Sequence, residues 1–182
     1  MSEPMERCEK YLYGSLSKIR KEAVFFLKMC CTKRKIGNFD QSKINGLFCF
    51  CSDVVAGFIV LIPYYDMVLV EYLAVSNQIR SKGSGSKILG EICRQYDDKR
   101  ILLLIEKIDE TANNLEQRIA RKRFYLKNGF ESSGVLMQGV SGDMEILCHG
   151  GSISGDEFIA VQTYALGRIL FGLSKTKVIA ET

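Results

Sequence analysis

Three cations and two glycines crowd into Arg80-Ser81-Lys82-Gly83-Ser84-Gly85-Ser86-Lys87. Residues of these types, placed between an apolar run and an amphipathic segment, suit the binding of an anion. Glycine lets the backbone turn with no Cβ in the way. The first amides of a new helix have no internal partner and point outward. Together they make a cradle of N–H groups at the positive end of a helix dipole, suited to a phosphate or pyrophosphate. Arg80, Lys82 and Lys87 add full charges to the same place. The spacing restricts the ligand. A nucleoside-triphosphate loop needs G-x-x-x-x-G-K-[ST], which does not occur here. A dinucleotide fingerprint needs a third glycine where Ile88 stands. What remains is Arg80-x-x-Gly83-x-Gly85, which by itself also fits a plain strand-to-helix turn.

Other reactive side chains are few. Seven cysteines contain no C-x-x-C, and the one histidine is His149, so a zinc site is not expected. An odd number of thiols without a secretory leader reads as reduced cysteines. A Cys–His nucleophile pair would have to use His149, which stands beside Gly150-Gly151 and reads as a loop residue. Two carboxylates fall in or at the end of strongly apolar runs, Glu71 and Glu106. Burial raises a carboxylate's pKa and makes it a candidate base. Equally, Glu71 could be a buried acid paired with Arg or Lys.

The elements that must position these groups follow from periodicity. Leu12, Leu16, Ile19, Ala23 and Phe26 mark an amphipathic helix over about Cys8 to Met29. A charged connection follows to Ser42. Leu47–Cys51 and Val54–Ile62 read as a hairpin about Ser52-Asp53, ended by Pro63. Met67–Val75, apolar on both faces except for Glu71, belongs in the middle of a sheet. After the glycine loop, Ile88, Leu89, Ile92, Cys93 and Tyr96 share one helix face. Arg100–Ile105 is a buried strand that closes with Glu106. Asn113-x-x-Glu116 is a capping-box pattern for a helix that runs to Lys127 and stops at Asn128-Gly129. Val135–Gln138 and Met144–Cys148 flank a second hairpin turn at Ser141-Gly142-Asp143. Ser154-x-x-Glu157 caps a last helix with Phe158, Ala165, Ile169 and Leu170 on its buried face. Hairpins alternating with β-loop-α units predict a mixed sheet in a single α/β (α+β) domain.

Composition adds limits. At 182 residues, 47% hydrophobic and 25% charged, the chain suits one soluble globular domain. Its apolar runs are strand-sized, so no membrane partner is expected, and the polar N-terminus points to the cytoplasm. The net charge of +4 favours anionic ligands mildly. Arg118, Arg121, Lys122 and Arg123 lie on more than one helix face without interleaved aromatics. They read as a solvated face, and no nucleic-acid partner is expected.

A second motif, Phe124-Tyr125-x-x-Asn128-Gly129-Phe130, stands one strand beyond the glycine loop. With Leu73-Ala74-Val75 and Arg80-x-x-Gly83-x-Gly85 it resembles the GNAT superfamily of acyl-CoA-dependent N-acetyltransferases. The run Glu71-Tyr72-Leu73-Ala74-Val75, with the Arg-rich helix before Phe124, looks like a bacterial branch. The resemblance covers about Leu47 to Cys148 and implies a GNAT-like mixed central sheet flanked by helices. It implies an acyl-CoA-binding core over 47–148, an acceptor-side helical region over 1–46 and a C-terminal helix within 149–182. It implies acetyl-CoA as cosubstrate and no metal. The cofactor-binding residues would be Leu73, Ala74, Val75, Arg80, Ser81, Lys82, Gly83, Ser84, Gly85, Ser86 and Lys87. The strand end would splay and pair with the pantetheine arm, and one of its amides would stabilise the developing oxyanion. A primary amine, on a small molecule or a peptide, would attack directly. Glu71 is the first choice for the base, since alternation puts it on the face of Leu73 and Val75; Glu106 is the other. Tyr125 would protonate the departing thiolate. The pattern departs from the family at Ser84, where a bulkier apolar residue is common, and in the long charged crossing after Glu106. A non-catalytic CoA-binding regulatory domain of the same fold is the alternative. The last helix leaves a homodimer open.

Overall fold

The structure, a computed structural model, describes residues 45–51, 54–75 and 83–180. The expected N-terminal helix, the connection after it and the Ser52-Asp53 turn lie outside the described residues. Seven strands and three helices follow in order: β1 (Asn45–Cys51), β2 (Val54–Tyr64), β3 (Met67–Val75), α1 (Ser84–Gln95), β4 (Arg100–Glu106), α2 (Leu115–Lys127), β5 (Glu131–Gly139), β6 (Gly142–His149), α3 (Gly155–Ser174) and β7 (Lys177–Ala180). All the strands join one mixed sheet, ordered β1-β2-β3-β4-β6-β5-β7. Only β3 and β4 pair in parallel, as the crossover through α1 requires. The other neighbours are antiparallel.

Helices cover both faces. The apolar stripe of α1, Ile88, Leu89 and Ile92, packs on Val68, Val70, Ile101, Leu103 and Ile105, with Phe124 and Tyr125 of α2 beside it. Phe158, Val161 and Ala165 of α3 pack on the reverse face against Met67, Leu69, Leu102, Val135 and Ile146. The alternation along β4 divides its residues between these two cores.

Several local expectations are corrected. Pro63 does not end its strand. It pairs with Val68, and among the described residues the pairing with β1 reaches only to Leu61, so no described strand lies opposite Pro63 on that side. The Asn113–Glu116 capping box does not form. Asn114 is the N-cap, and its side chain is drawn away: Nδ2 donates to Glu106 Oε1 at 3.4 Å, and Oδ1 accepts from Arg118 Nε at 2.8 Å. The Ser154–Glu157 capping box does form. Ile169 and Leu170 do not join the buried face of α3; they are 65% and 48% exposed. Gly167, at φ 76°, breaks the helical backbone and turns the residues after it off the stripe. The chain then ends in β7, which pairs with β5, an element the sequence reading lacks.

Candidate active site

The parallel pairing of β3 with β4 runs from Met67↔Arg100 to Val70↔Leu103 and stops. Both strands continue, β3 to Val75 and β4 to Glu106. Beyond Val70 the sheet is therefore open between its two central strands. Leu73, Ala74 and Val75 pair with Ile59, Phe58 and Gly57 of β2 on one side and with no strand on the other among the described residues. A bulge accompanies the opening. Leu61 faces Val70 and Val60 faces Tyr72, which leaves Glu71 as the extra residue. Strict alternation would send Leu73 and Val75 to the α3 face with Met67 and Leu69. The bulge instead returns them to the α1/α2 face with Val68 and Val70. The premise that Glu71 shares their face by simple alternation is thereby corrected.

The start of α1 meets this opening. Gly83 is its N-cap in the left-handed conformation, φ 74°, and no side chain caps the helix. A Cβ on Gly83 would touch nothing within 4 Å, so the approach to the first turn is open. Lys87 N–H closes that turn on Gly83 C=O at 3.0 Å. The first-turn residues Ser84, Gly85 and Ser86 thus sit where helix amides project outward. Gly85 serves packing rather than turning. A Cβ there would lie 3.0 Å from Phe124 Cζ and 3.6 Å from Val75 Cγ2. The ends of β3, α1 and the Phe124-Tyr125 pair therefore converge on one residue without a side chain. Arg80, Ser81 and Lys82 lie outside the described residues.

Tyr125 stands between Phe124 and Phe130, with ring centroids 5.2 and 5.8 Å away. Asn128 and Gly129 stop α2 behind it: Gly129, at φ 82°, donates its N–H to Leu126 C=O, and Phe130 N–H returns to Tyr125 C=O. Burial raises the phenol's pKa, and Arg121 opposes that. No buried side-chain polar atom among the described residues lacks a hydrogen-bond partner. Tyr125 Oη has no hydrogen-bond partner among the described residues. At neutral pH it is a protonated donor.

The two candidate bases separate here. Glu71 has no hydrogen-bond or ion-pair partner among the described residues, and loss of hydration pushes its pKa up to about 7. Glu106 is buried and ion-paired with Arg121 of α2, with Asn114 as a further donor. Neighbouring Glu145 on β6 is held by Lys122 Nζ at 2.7 and 2.8 Å and by Ser132 Oγ at 2.6 Å. Arg118 donates to Lys107 C=O at 2.7 Å. Three of the four cations read as a solvated face are thus committed to the fold. Helix α2 has no fully buried residue, and these polar contacts seat it on the sheet. The Arg121–Glu106 and Lys122–Glu145 pairs were missed in the sequence because strand acids and helix cations lie far apart along the chain. The four-residue step from Arg121 to Tyr125 was the available signal.

A Cys–His pair gains no support. Burial pushes the Cys148 thiol up to about 11, and His149 Nδ1 lies 2.8 Å from Gly129 C=O at the end of β6.

Residues 45–132 match a family model described as the acetyltransferase (GNAT) domain. No curated protein sequence matches the chain. Among solved structures, a GNAT-family protein from Bacteroides thetaiotaomicron superposes at TM-score 0.64 and 18% identity, covering 94% of this chain and 96% of its own. A Bacillus subtilis acetyltransferase in complex with CoA gives 0.55 at 16% identity over 77% of this chain and 91% of its own. A GNAT acetyltransferase from Elizabethkingia anophelis with acetyl-CoA bound gives 0.52 at 13% over 74% of this chain and 85% of its own. These likenesses carry the fold, and residues 45–132 are similar to the GNAT acetyltransferase domain.

Proposed function

We propose that the protein transfers an acetyl group from acetyl-CoA to a primary amine, by direct attack with both substrates held together. The observation that carries this reading is the opening between β3 and β4 beyond Val70 and Leu103, with the α1 N-terminus and Phe124, the neighbour of Tyr125, meeting the end of β3 at Gly85.

The residues present fit the cosubstrate. The first turn at Gly83–Ser86, followed by Lys87, is a cradle for its pyrophosphate, and Arg80, Ser81 and Lys82 precede it in the sequence. The edge of Leu73–Val75 suits the amide-bearing arm, which would add to it as a strand does. Acetyl-CoA brings an acetyl group already activated as a thioester. The chain's part is to align the reactants, which converts a bimolecular step into a unimolecular one. A backbone N–H at the β3 edge is aimed where negative charge develops on the carbonyl oxygen. The acceptor must arrive as a neutral amine. The Glu71 carboxylate, without a partner among the described residues and with its pKa near the working pH, takes that proton directly or through water. Tyr125 Oη donates a proton to the departing sulfur. Glu106 ranks second as base, because it is already ion-paired with Arg121. The acceptor is a small molecule or a peptide amine.

Thermal unfolding with acetyl-CoA, CoA, ATP and NAD tests the assignment. Ligand at a hundred times its Kd adds about 2.7 kcal/mol. For a domain of this size that is a Tm rise of roughly 5–10 °C. Only the two CoA species should produce it. Tyr125→Phe should keep the shift and lose turnover of the amine that a screen identifies. No shift with either CoA species would remove the assignment.

A further inference from the structure

We infer that Arg121 is the positioning residue of the site, tying the end of β4 to the helix that carries Tyr125. Its Nη1 forms an ion pair with Glu106 Oε2, where β4 ends at the open side of the sheet. It sits one helical turn before Tyr125, so both side chains lie on the same face of α2. One guanidinium thus touches the strand end and borders the phenol.

The arrangement has two consequences. First, α2 has no fully buried side chain and rests on the core only through the partly buried Phe124 and Tyr125, so a short polar tether adds to what fixes its rotation and where Tyr125 Oη falls. The next residue, Lys122, anchors to Glu145 of β6 and leaves the Tyr125 side of α2 to Arg121. Second, among the described residues the charge that acts on the phenol is Arg121 on its own helix, itself paired with Glu106 of β4, while the His149 ring of β6 lies behind Phe130 at 5.5 Å. The Arg121 cation opposes the desolvation of Tyr125 and makes it a stronger acid than its buried setting alone would allow. Glu106, already holding that cation, acts through it rather than on the substrate. The catalytic consequence rests on the acyl-transfer reading; the structural one does not.

The test uses the full chain with tyrosine labelled at Cζ, whose NMR shift reports ring position and local charge. Tyr125→Phe assigns the resonance. Arg121→Met should move the Tyr125 signal and leave the other tyrosines in place, and Arg121→Lys should bring it most of the way back. Glu106→Gln, which frees Arg121 with little change of shape, should also move it, and this variant answers the question if Arg121→Met fails to fold. With a turned-over amine, Arg121→Met should lower kcat on the order of tenfold, a fraction of the ~10²–10⁴ a positioned acid contributes. KM for acetyl-CoA should not change. A Tyr125 signal unmoved in folded Arg121→Met or Glu106→Gln would overturn the inference. If the signal moves but acetyl-CoA gives no thermal shift, the tether stands and the acetyltransfer reading fails.

Discussion

The two ends of the β3–β4 pair are built in opposite ways. At the closed end the strands are in register, and Arg100 satisfies almost everything near it. Its N–H donates to Asp66 C=O at 2.9 Å, and its guanidinium reaches Asp66 at 2.7 Å, Glu157 at 2.8 Å and Ser152 C=O at 2.8 Å. Gly150 and Gly151 make room: a Cβ on either would come within 3.1 Å of Lys99 C=O or the Arg100 stem. Glu157 also closes the capping box of α3, so this one knot joins β3, β4 and the helix of the reverse face. At the open end the same strands part. Glu71 has no partner among the described residues, and the outer edge of Leu73–Val75 pairs with no strand. The closed end commits its polar groups to the fold; at the open end Glu106 is held by Arg121, whereas Glu71 has no partner among the described residues. On the proposed function, stability and chemistry are thereby separated along a single pair of strands.

Substitutions can break that separation or sharpen it. The largest effect should come from Glu71→Gln, which should lower turnover about 10²–10⁴-fold. The wild-type rate should rise through an acidic limb centred at about 7, as the carboxylate loses its proton, and the variant should lack that limb. Stability should run the other way. A folded-state pKa above the unfolded value makes Glu71 most compatible with folding at low pH, and that contribution is lost as pH climbs through about 7. Glu71→Gln should therefore unfold at a higher temperature than wild type above pH 7. A variant that is both inactive and less stable there would break the comparison.

Next comes the middle of the closed end. Leu102 is 0% exposed, and Leu102→Ala should cost about 2–5 kcal/mol in urea unfolding. The folded fraction should bind CoA as tightly as wild type. Arg100→Met should cost less, about 1–2 kcal/mol, because Asp66 and Glu157 can turn to water. CoA affinity lost in folded Arg100→Met would show that the two ends are coupled.

The smallest expected effect is Glu157→Gln, about 1 kcal/mol at neutral pH. Hydrogen bonds from Arg100 and from the Ser154 N–H hold the Glu157 carboxyl down to about 2. Its contribution is present above the ordinary carboxylate range and is lost as pH falls towards that value, so the variant should show a shallower acid destabilisation. Equal acid sensitivity in the two proteins would rule out this knot as its source.

The helices show why some of the molecule is legible in its sequence. Ile88, Leu89 and Ile92 of α1 recur at helical spacing and bury as a stripe, so periodicity locates the element directly. Helix α2 carries cations on several faces, and the same reasoning takes them for solvated. Their partners, Glu106 and Glu145, sit on strands whose position relative to α2 only the folded sheet defines. The bulge at Glu71 is equally hidden. A run of apolar residues looks the same with or without an inserted residue, yet the insertion decides which way Leu73 and Val75 point.

By itself the sequence determined the order of the described elements up to α3, the mixed sheet, the glycine turn before α1 and the Phe124-Tyr125 motif. Each of these is written in residues near one another along the chain, through periodicity, caps and turns. The tertiary structure decided what depends on residues far apart. It opened β3 from β4, returned Leu73 and Val75 to the α1/α2 face, and gave Gly85 its place beneath Phe124. It also paired Glu106 with Arg121 while leaving Glu71 without a partner among the described residues. Desolvation and ion pairing depend on which surfaces meet across the sheet, and no local pattern records that.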